Sequence, residues 1–446
     1  MYIHRPVATA RTVAAPALLF LFLLPRQAPA QHMDHPMEPE AGHQMQHGMF
    51  RLPLGDWHVV GMGQVFPVVT TGGPDNRDGG ELRRTEWYLT QPALMTNLES
   101  PSRRLVLRTT LNFEGITLGG GELTYGGWGE GFIDKRHPHT LLHEAMLSWN
   151  LWEVAGGGLS LSAGKGFAPY GTDDPMSRPG LKYPTNHHLS QVLERWTVNA
   201  IWRLAGWSLE AGVFGGTEPE GPYDFSNIRG FPDSWSGRLT RRWTSGTGSP
   251  TEWEASVSRA RVTESHDGHE ETSSLSNAAL RRSGPAGPGM LYGLVEGSRS
   301  EPERGQGYTS VLAETGYAAD RHQPYLRLEF ATRPEYARTG PAGSDDFFRY
   351  DHGAQATGAT RWLIATAAYA RQLSPDPVSL RPFLEVQYHR VRAERGDVPQ
   401  GGFPGRDSSF WVLSLGARLF LGGGPMRMGS YGVLDPMTMM GRMMAG

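Results

Sequence analysis

The sequence predicts an all-β fold, a transmembrane antiparallel β-barrel of about sixteen strands within a range of roughly fourteen to eighteen. Three observations predict it. Leu105, Leu107, Thr109, Leu111 and Phe113 alternate with Arg104, Val106, Arg108, Thr110 and Asn112, and a period of two puts the two sets on opposite faces of a strand. Segments of this kind recur along the 446-residue chain behind an export signal. No later stretch approaches the ~18 apolar residues of a spanning helix, and mean hydropathy is −0.42, which excludes a helical membrane protein but not a barrel, whose strands turn only every second residue to lipid.

The chain opens on a signal pattern over residues 1–30. Arg5 and Arg11 supply positive charge, Val13 to Leu24 is a short apolar run, and Ala28-Pro29-Ala30 fits a small-x-small cleavage site, so the mature chain is expected to begin at Gln31 and to reside in the outer membrane. A retained anchor is the alternative, although the run is short for a spanning helix. Residues 31–50 form a polar His/Met-rich leader without periodicity, expected to be disordered on the periplasmic side.

The barrel is expected over residues 51–421. Its strands are read at 57–66, 86–98, 103–114, 141–152, 158–167, 194–204, 207–214, 236–244, 252–263, 273–282, 289–296, 307–318, 324–332, 359–373, 378–392 and 409–421. Alternation is clear at Trp196, Val198, Ala200, Trp202 and Leu204 against Arg195, Thr197, Asn199 and Arg203, and at Leu326, Leu328 and Phe330 against Tyr325, Arg327 and Glu329. It is clear again at Leu380, Leu384, Val386 and Tyr388 against Arg381, Glu385, Gln387 and His389. Gly and Pro clusters such as Ala205-Gly206 mark turns, and polar stretches at 168–193, 215–235, 333–358 and 393–408 read as loops. Glycine, 58 residues, lies well above the usual ~7%, and 13 Trp and 15 Tyr suffice for two interfacial girdles. A soluble β-sandwich or propeller is the structural rival, with the apolar faces turned inward. Arginine and acid on the polar faces, and no blade-length repeat, favour the barrel.

The chain has no cysteine, so it carries neither disulfides nor a lipidated N-terminal cysteine. The net charge of −3 becomes more negative once three signal-peptide arginines are lost, which argues against nucleic-acid binding.

Eleven of the 17 methionines lie outside the predicted strands, in the leader and in a Met-rich tail over 422–446. The leader holds His32, Met33, His35, Met37, His43, Met45, His47 and Met49. The tail holds Met426, Met428, Met437, Met439, Met440, Met443 and Met444. Thioether sulfur is a soft ligand that selects Cu(I), while imidazole serves both copper states. Both chain ends of an even-stranded barrel emerge on the periplasmic side, so the two clusters are expected at one mouth. Copper or silver binding is the functional reading, with copper ions and periplasmic copper proteins as partners alongside outer-membrane lipid; compositional drift is the bland one. In composition, the leader is similar to those of copper-resistance outer-membrane proteins.

Three further clusters occur in order. They are Asp134-Lys-Arg-His137-Pro-His139 with His143 following, Pro184-Thr-Asn-His187-His188, and Glu218-Pro-Glu220 followed by Asp233-Ser234-Trp235-Ser236-Gly-Arg238. Together they resemble a family of bacterial outer-membrane β-barrel proteins with His/Met-rich leaders, over roughly a quarter of the chain. The chain departs from that family at Leu189, where the pattern has Trp. The resemblance implies an envelope barrel loosely associated with metal resistance. Physically, His137, His139, His187 and His188 suit a copper or zinc site with Asp134 or Glu218, or they hydrogen-bond the loops into a plug or constriction.

Arg104, Arg108, Arg195, Arg203, Arg327 and Arg381 fall on polar strand faces and are expected to line the lumen. There they either set ion selectivity or pair with acids such as Glu114, Glu329 and Glu385. No Gly-x-Ser-x-Gly elbow, His-Glu-x-x-His or phosphate-binding Gly loop is present, so no enzyme is expected. The readings that remain are a copper-handling barrel and a general small-solute porin, with a barrel enzyme a distant third.

Overall fold

The structure is a computed structural model. It describes residues 49–72, 84–117, 140–172, 177–180, 189–219, 223–224, 228, 230–246, 249–266, 269–335, 358–373, 378–396, 407–422 and 426–443. Its strands are β1 (Phe50–Leu54), β2 (Trp57–Gly72), β3 (Arg84–Glu99), β4 (Leu105–Asn112), β5 (Leu142–Val154), β6 (Gly157–Gly166), β7 (Arg195–Leu204), β8 (Trp207–Phe214) and β9 (Ser234–Ser245). They continue as β10 (Thr251–His266), β11 (His269–Ala286), β12 (Gly289–Pro302), β13 (Tyr308–Ala318), β14 (His322–Glu335), β15 (Gly358–Arg371), β16 (Val378–Gly396) and β17 (Asp407–Leu421). A one-turn helix α1 (Glu114–Thr117) follows β4, and a 3-10 turn (Gly432–Leu434) and helix α2 (Pro436–Met443) follow β17.

From β2 to β17 each strand pairs antiparallel with the next, and β17 pairs with β2, so sixteen strands close a barrel. All sixteen predicted strands are present, most of them longer than expected. Strand β1 was not expected. It pairs with β2 from Phe50↔Gly61 to Leu54↔Trp57, taking over the edge of β2 just beyond the point where β17 stops at Leu421↔Gly63.

The faces follow the alternation. On β4, Leu105 and Leu107 are 41% and 36% exposed, while Val106 and Arg108 are 2% and 1% exposed. An arginine inside and leucines outside is the reverse of a water-soluble sandwich. It is what hydrocarbon outside and a polar interior require, because a closed ring leaves no backbone edge unsatisfied in lipid. Trp149, Trp202, Trp207 and Trp243 lie outward towards one rim, and Trp87, Trp235 and Trp411 towards the other. Their amphipathic rings suit the two membrane interfaces.

One rim carries short turns. Ala155-Gly156 and Ala205-Gly206 each have two residues at positive φ, as two-residue hairpins with type I′ geometry need. Longer connections lie mostly on the other rim; β10–β11 and β12–β13 stay short there because their strands run on. Short turns face the periplasm in such barrels. Both β1 and the end of β17 lie at that rim.

Candidate functional site

The lumen is where the polar faces converge, and two chain segments fill it from opposite ends. The first is the β6–β7 connection, which enters from the long-loop rim. Ala168 N–H donates to Val192 O and Tyr170 Oη to Leu189 O, holding its two limbs together. Gly171 sits at φ +69° with no room for a side chain, since a Cβ would lie 1.7 Å from Ser190 O. Beyond this pinch the segment crosses the barrel. Gly171 N–H donates to Ser258 of β10, Thr172 and Arg178 bind the Glu296 carboxylate of β12, and Arg418 of β17 donates to Arg178 O and Gly180 O.

The second segment is the tail, which turns back into the barrel from the periplasmic rim. Arg427 grips Glu254 of β10 with both Nη atoms, at 2.9 and 2.8 Å. Tyr431 Oη donates to Glu144 of β5 at 2.8 Å and accepts Phe167 N–H at 2.8 Å. Burial pushes the Tyr431 hydroxyl well above the usual tyrosine range, and the Glu144 charge beside it adds to the rise. Val433 N–H donates to Ser160 of β6. Asp435 caps α2, its Oδ1 accepting Thr438 N–H, and Pro436 occupies the first helical position, where its missing donor is not needed. The same carboxylate accepts Asn97 Nδ2 of β3 at 2.8 Å and pairs with Arg108 of β4 at 2.9 Å.

The two segments meet at Arg238 on β9. Its guanidinium makes five hydrogen bonds, matching its five donors. Two go to Glu210 of β8, one each to Gly171 O and Thr172 O of the inward connection, and one to Gly429 O of the tail. Asp233 and Ser234, from the same stretch of sequence, tie the neighbouring turn: Asp233 accepts Gly216 N–H, and Ser234 Oγ accepts Thr263 N–H.

The predicted lumen arginines divide. Arg108, Arg195 and Arg327 are buried in ion pairs, with Glu144 and Asp435, with Glu218 and Glu264, and with Glu329. Arg381 donates to Gln372 and Ser379 and lies over the Phe420 ring. Arg203 donates to the Met439 sulfur at 3.4 Å. Arg104 instead precedes β4 in an exposed turn, because the strand begins one residue later. Among the described residues Glu114 takes no arginine; it accepts from Thr90, the Gln91 N–H and Asn112.

The tail methionines, read from the sequence as soft-metal ligands or as compositional drift, also have a packing role. Met426, Met428 and Met437 are buried in one apolar cluster with Met62, Met95, Met146, Phe167 and Tyr431, and Met49 packs against it. An unbranched, polarizable side chain fills the irregular gap between a wall and a folded-back segment. Met440 and Met443 fall on α2. Met444 lies outside the described residues, as do His32, Met33, His35, Met37, His43, Met45, His47, His137, His139, His187 and His188.

His143, from the first histidine cluster, is described. Its Nδ1 is 2.6 Å from Glu194 Oε1, which also accepts from the Thr140 N–H and hydroxyl, while Lys165 Nζ donates to Thr140 Oγ1. Among the described residues no group of three or more His, Cys, Asp or Glu is placed to hold a metal.

These features define a transmembrane β-barrel of the outer-membrane type with an internally occupied lumen. Solved structures with similar folds include OmpT of Vibrio cholerae, folded in vitro (12% identity over 83% of this chain and 99% of that one, TM-score 0.45). Others are an anion-selective porin from Comamonas acidovorans (12%, 82% and 100%, TM-score 0.46) and the outer membrane channel DcaP of Acinetobacter baumannii (10%, 84% and 100%, TM-score 0.47). No family model matches the chain, and no curated protein matches it. The functional reading therefore rests on the chain's own geometry.

Proposed function

We propose that the chain is an outer-membrane channel for small polar solutes, with the charged interior of the ring as its path. One observation carries the reading: the lumen is crossed by segments held through ion pairs, hydrogen bonds and apolar packing, not by strands of the sheet. Such contacts can be released while the wall stays intact. Because Arg108, Arg178, Arg195, Arg238 and Arg327 are each matched by an acid, the path favours polar over strongly charged solutes. Swelling of liposomes containing the purified mature protein, across a series of neutral sugars and amino acids, tests it. Uptake that falls with solute size is expected, and no uptake of any solute by a correctly folded protein overturns the reading.

A second reading, copper capture at the periplasmic mouth, is supported by the methionine cluster. Met62 and Met95 face one another across β2 and β3, and Met49, Met146, Met426, Met428 and Met437 belong to the same cluster. Thioethers select Cu(I), and the ion would reach them from the periplasm, where copper-carrying proteins could deliver it. Met49, where the His/Met-rich stretch meets β1, packs against this cluster. Cu(I) stoichiometry by chelator competition, on the mature protein and on a form lacking residues 31–48 and 426–446, tests it. Equal stoichiometry in the two forms overturns it.

A further inference from the structure

We propose that the tail, residues 426–443, is a built-in plug whose withdrawal opens the lumen, and that Arg238 couples its seating to that of the β6–β7 connection. The proposal rests on the channel reading and adds the gate.

Three observations carry it. First, the two internal segments cover complementary arcs of the ring. The tail is bound by β3, β4, β5, β6, β7, β9 and β10, and the connection by β9, β10, β12 and β17. Pro179 and Gly180 of the connection also lie close to Gly316 of β13 and Tyr325 of β14. Second, the tail hangs from β17 yet grips Glu254 on β10, seven strands away in one direction round the ring and nine in the other. A segment anchored at one side and latched near the opposite side spans the bore. Third, the segments touch one another as well as the wall. Arg238 holds Gly429 O, Gly171 O and Thr172 O at once, and Tyr431 Oη accepts the Phe167 N–H at the start of the connection. Removing the tail therefore takes one acceptor from a buried guanidinium and a hydroxyl from a buried amide, loosening the connection that remains.

The latch and the anchor differ in exposure. The Arg427–Glu254 pair is partly open to solvent, whereas the Arg108–Asp435 pair is closed off. Release accordingly begins at Arg427 and ends at the cap of α2.

The test uses planar bilayers with the mature protein and a form ending at Gly422, each checked for folding by heat-modifiable gel migration. If the docked tail prevails by roughly 99 to 1, its removal raises the open fraction about a hundredfold. Hydrogen exchange at the Ala168 and Gly171 amides should rise in the shortened form as well. A second variant avoids truncation. The chain has no cysteine, and a Cβ at Gly158 would lie 3.2 Å from Val433 Cβ, so a shift of a few tenths of an ångström brings the pair to the disulfide span of about 3.5–4.5 Å. Gly158→Cys with Val433→Cys should stay shut when oxidised and regain the parent's openings when reduced. Equal conductance of whole and shortened forms overturns the plug and leaves the channel reading standing. Silence in both forms overturns the channel reading and the gate with it. Unchanged exchange at Ala168 and Gly171 overturns the coupling through Arg238.

Discussion

Arg108 and Asp435 form a buried ion pair at 2.9 Å that fastens the wall strand β4 to the cap of helix α2. One carboxylate thereby starts a helix, accepts from Asn97 and neutralises a lumenal arginine. Asp435→Ala removes all three roles. Breaking one side of a buried pair typically costs about 3–5 kcal/mol. The tail should undock, read as loss of hydrogen-exchange protection over residues 426–443, whereas Asp435→Asn keeps the cap and loses less. Wild-type protection in the alanine variant would contradict this account.

Tyr431 bridges Glu144 and Phe167 through one hydroxyl. Tyr431→Phe leaves a buried carboxylate and a buried amide each a partner short, a loss of about 1–3 kcal/mol per group. The hydroxyl's folded value is raised by burial and by Glu144, so the neutral phenol is the form that docking favours. Its contribution is complete below the ordinary tyrosine value of about 10 and is lost as pH rises through the raised value. Tail protection followed from neutral to strongly alkaline pH should fall in the parent and show less of that alkaline step in the phenylalanine variant.

Gly171 admits no side chain at its pinch with Ser190. Gly171→Ala meets a backbone carbonyl that cannot swing away, and it also bears the strain of a positive φ, together more than about 1 kcal/mol. The inward connection should loosen, seen as faster exchange at Ala168 and Gly171, while the heat-modifiable shift of the barrel on gels stays as in the parent.

The two faces of β17 should respond in opposite ways. Leu415, near the strand's centre and 55% exposed, points into lipid, and Leu415→Arg should destabilise by about 2–4 kcal/mol in urea-refolding titrations into vesicles. Its inward neighbour Ser414 bonds the Thr70 hydroxyl at 2.8 Å, so Ser414→Ala should cost only about 1 kcal/mol. The reverse ranking would mean an exterior in water.

The wall was legible because lipid imposes a rule that each strand must obey separately. Leu107 outside and Arg108 inside needs no knowledge of any other strand. Parity also assigns Trp235 outward and Arg238 inward within the Asp-Ser-Trp-Ser-x-Arg stretch. The contents of the lumen were not legible in this way. Arg238 binds carbonyls at Gly171, Thr172 and Gly429, and peptide carbonyls leave no mark in side-chain pattern. The tail did carry a signal, Asp435 before Pro436, which is a helix start. It was outweighed by the methionines, whose composition suits a soft-metal site and an irregular filling equally well. Strand β1 bears no such mark, because five residues containing Pro53 give too short a period to read.

Hooking β17 to β2 sets Leu421 beside Gly63 and gathers Arg108, Glu144, Arg238 and Glu254 around one interior. Before that closure β17 and the residues that follow it sit at one edge of an open sheet, far along it from the β3 to β7 strands that receive residues 430–443. Assembly therefore finishes from the inside: the cylinder is completed first and sealed afterwards. A molecule halted short of closure would leave these residues undocked, within reach of the proteases that clear failed envelope proteins.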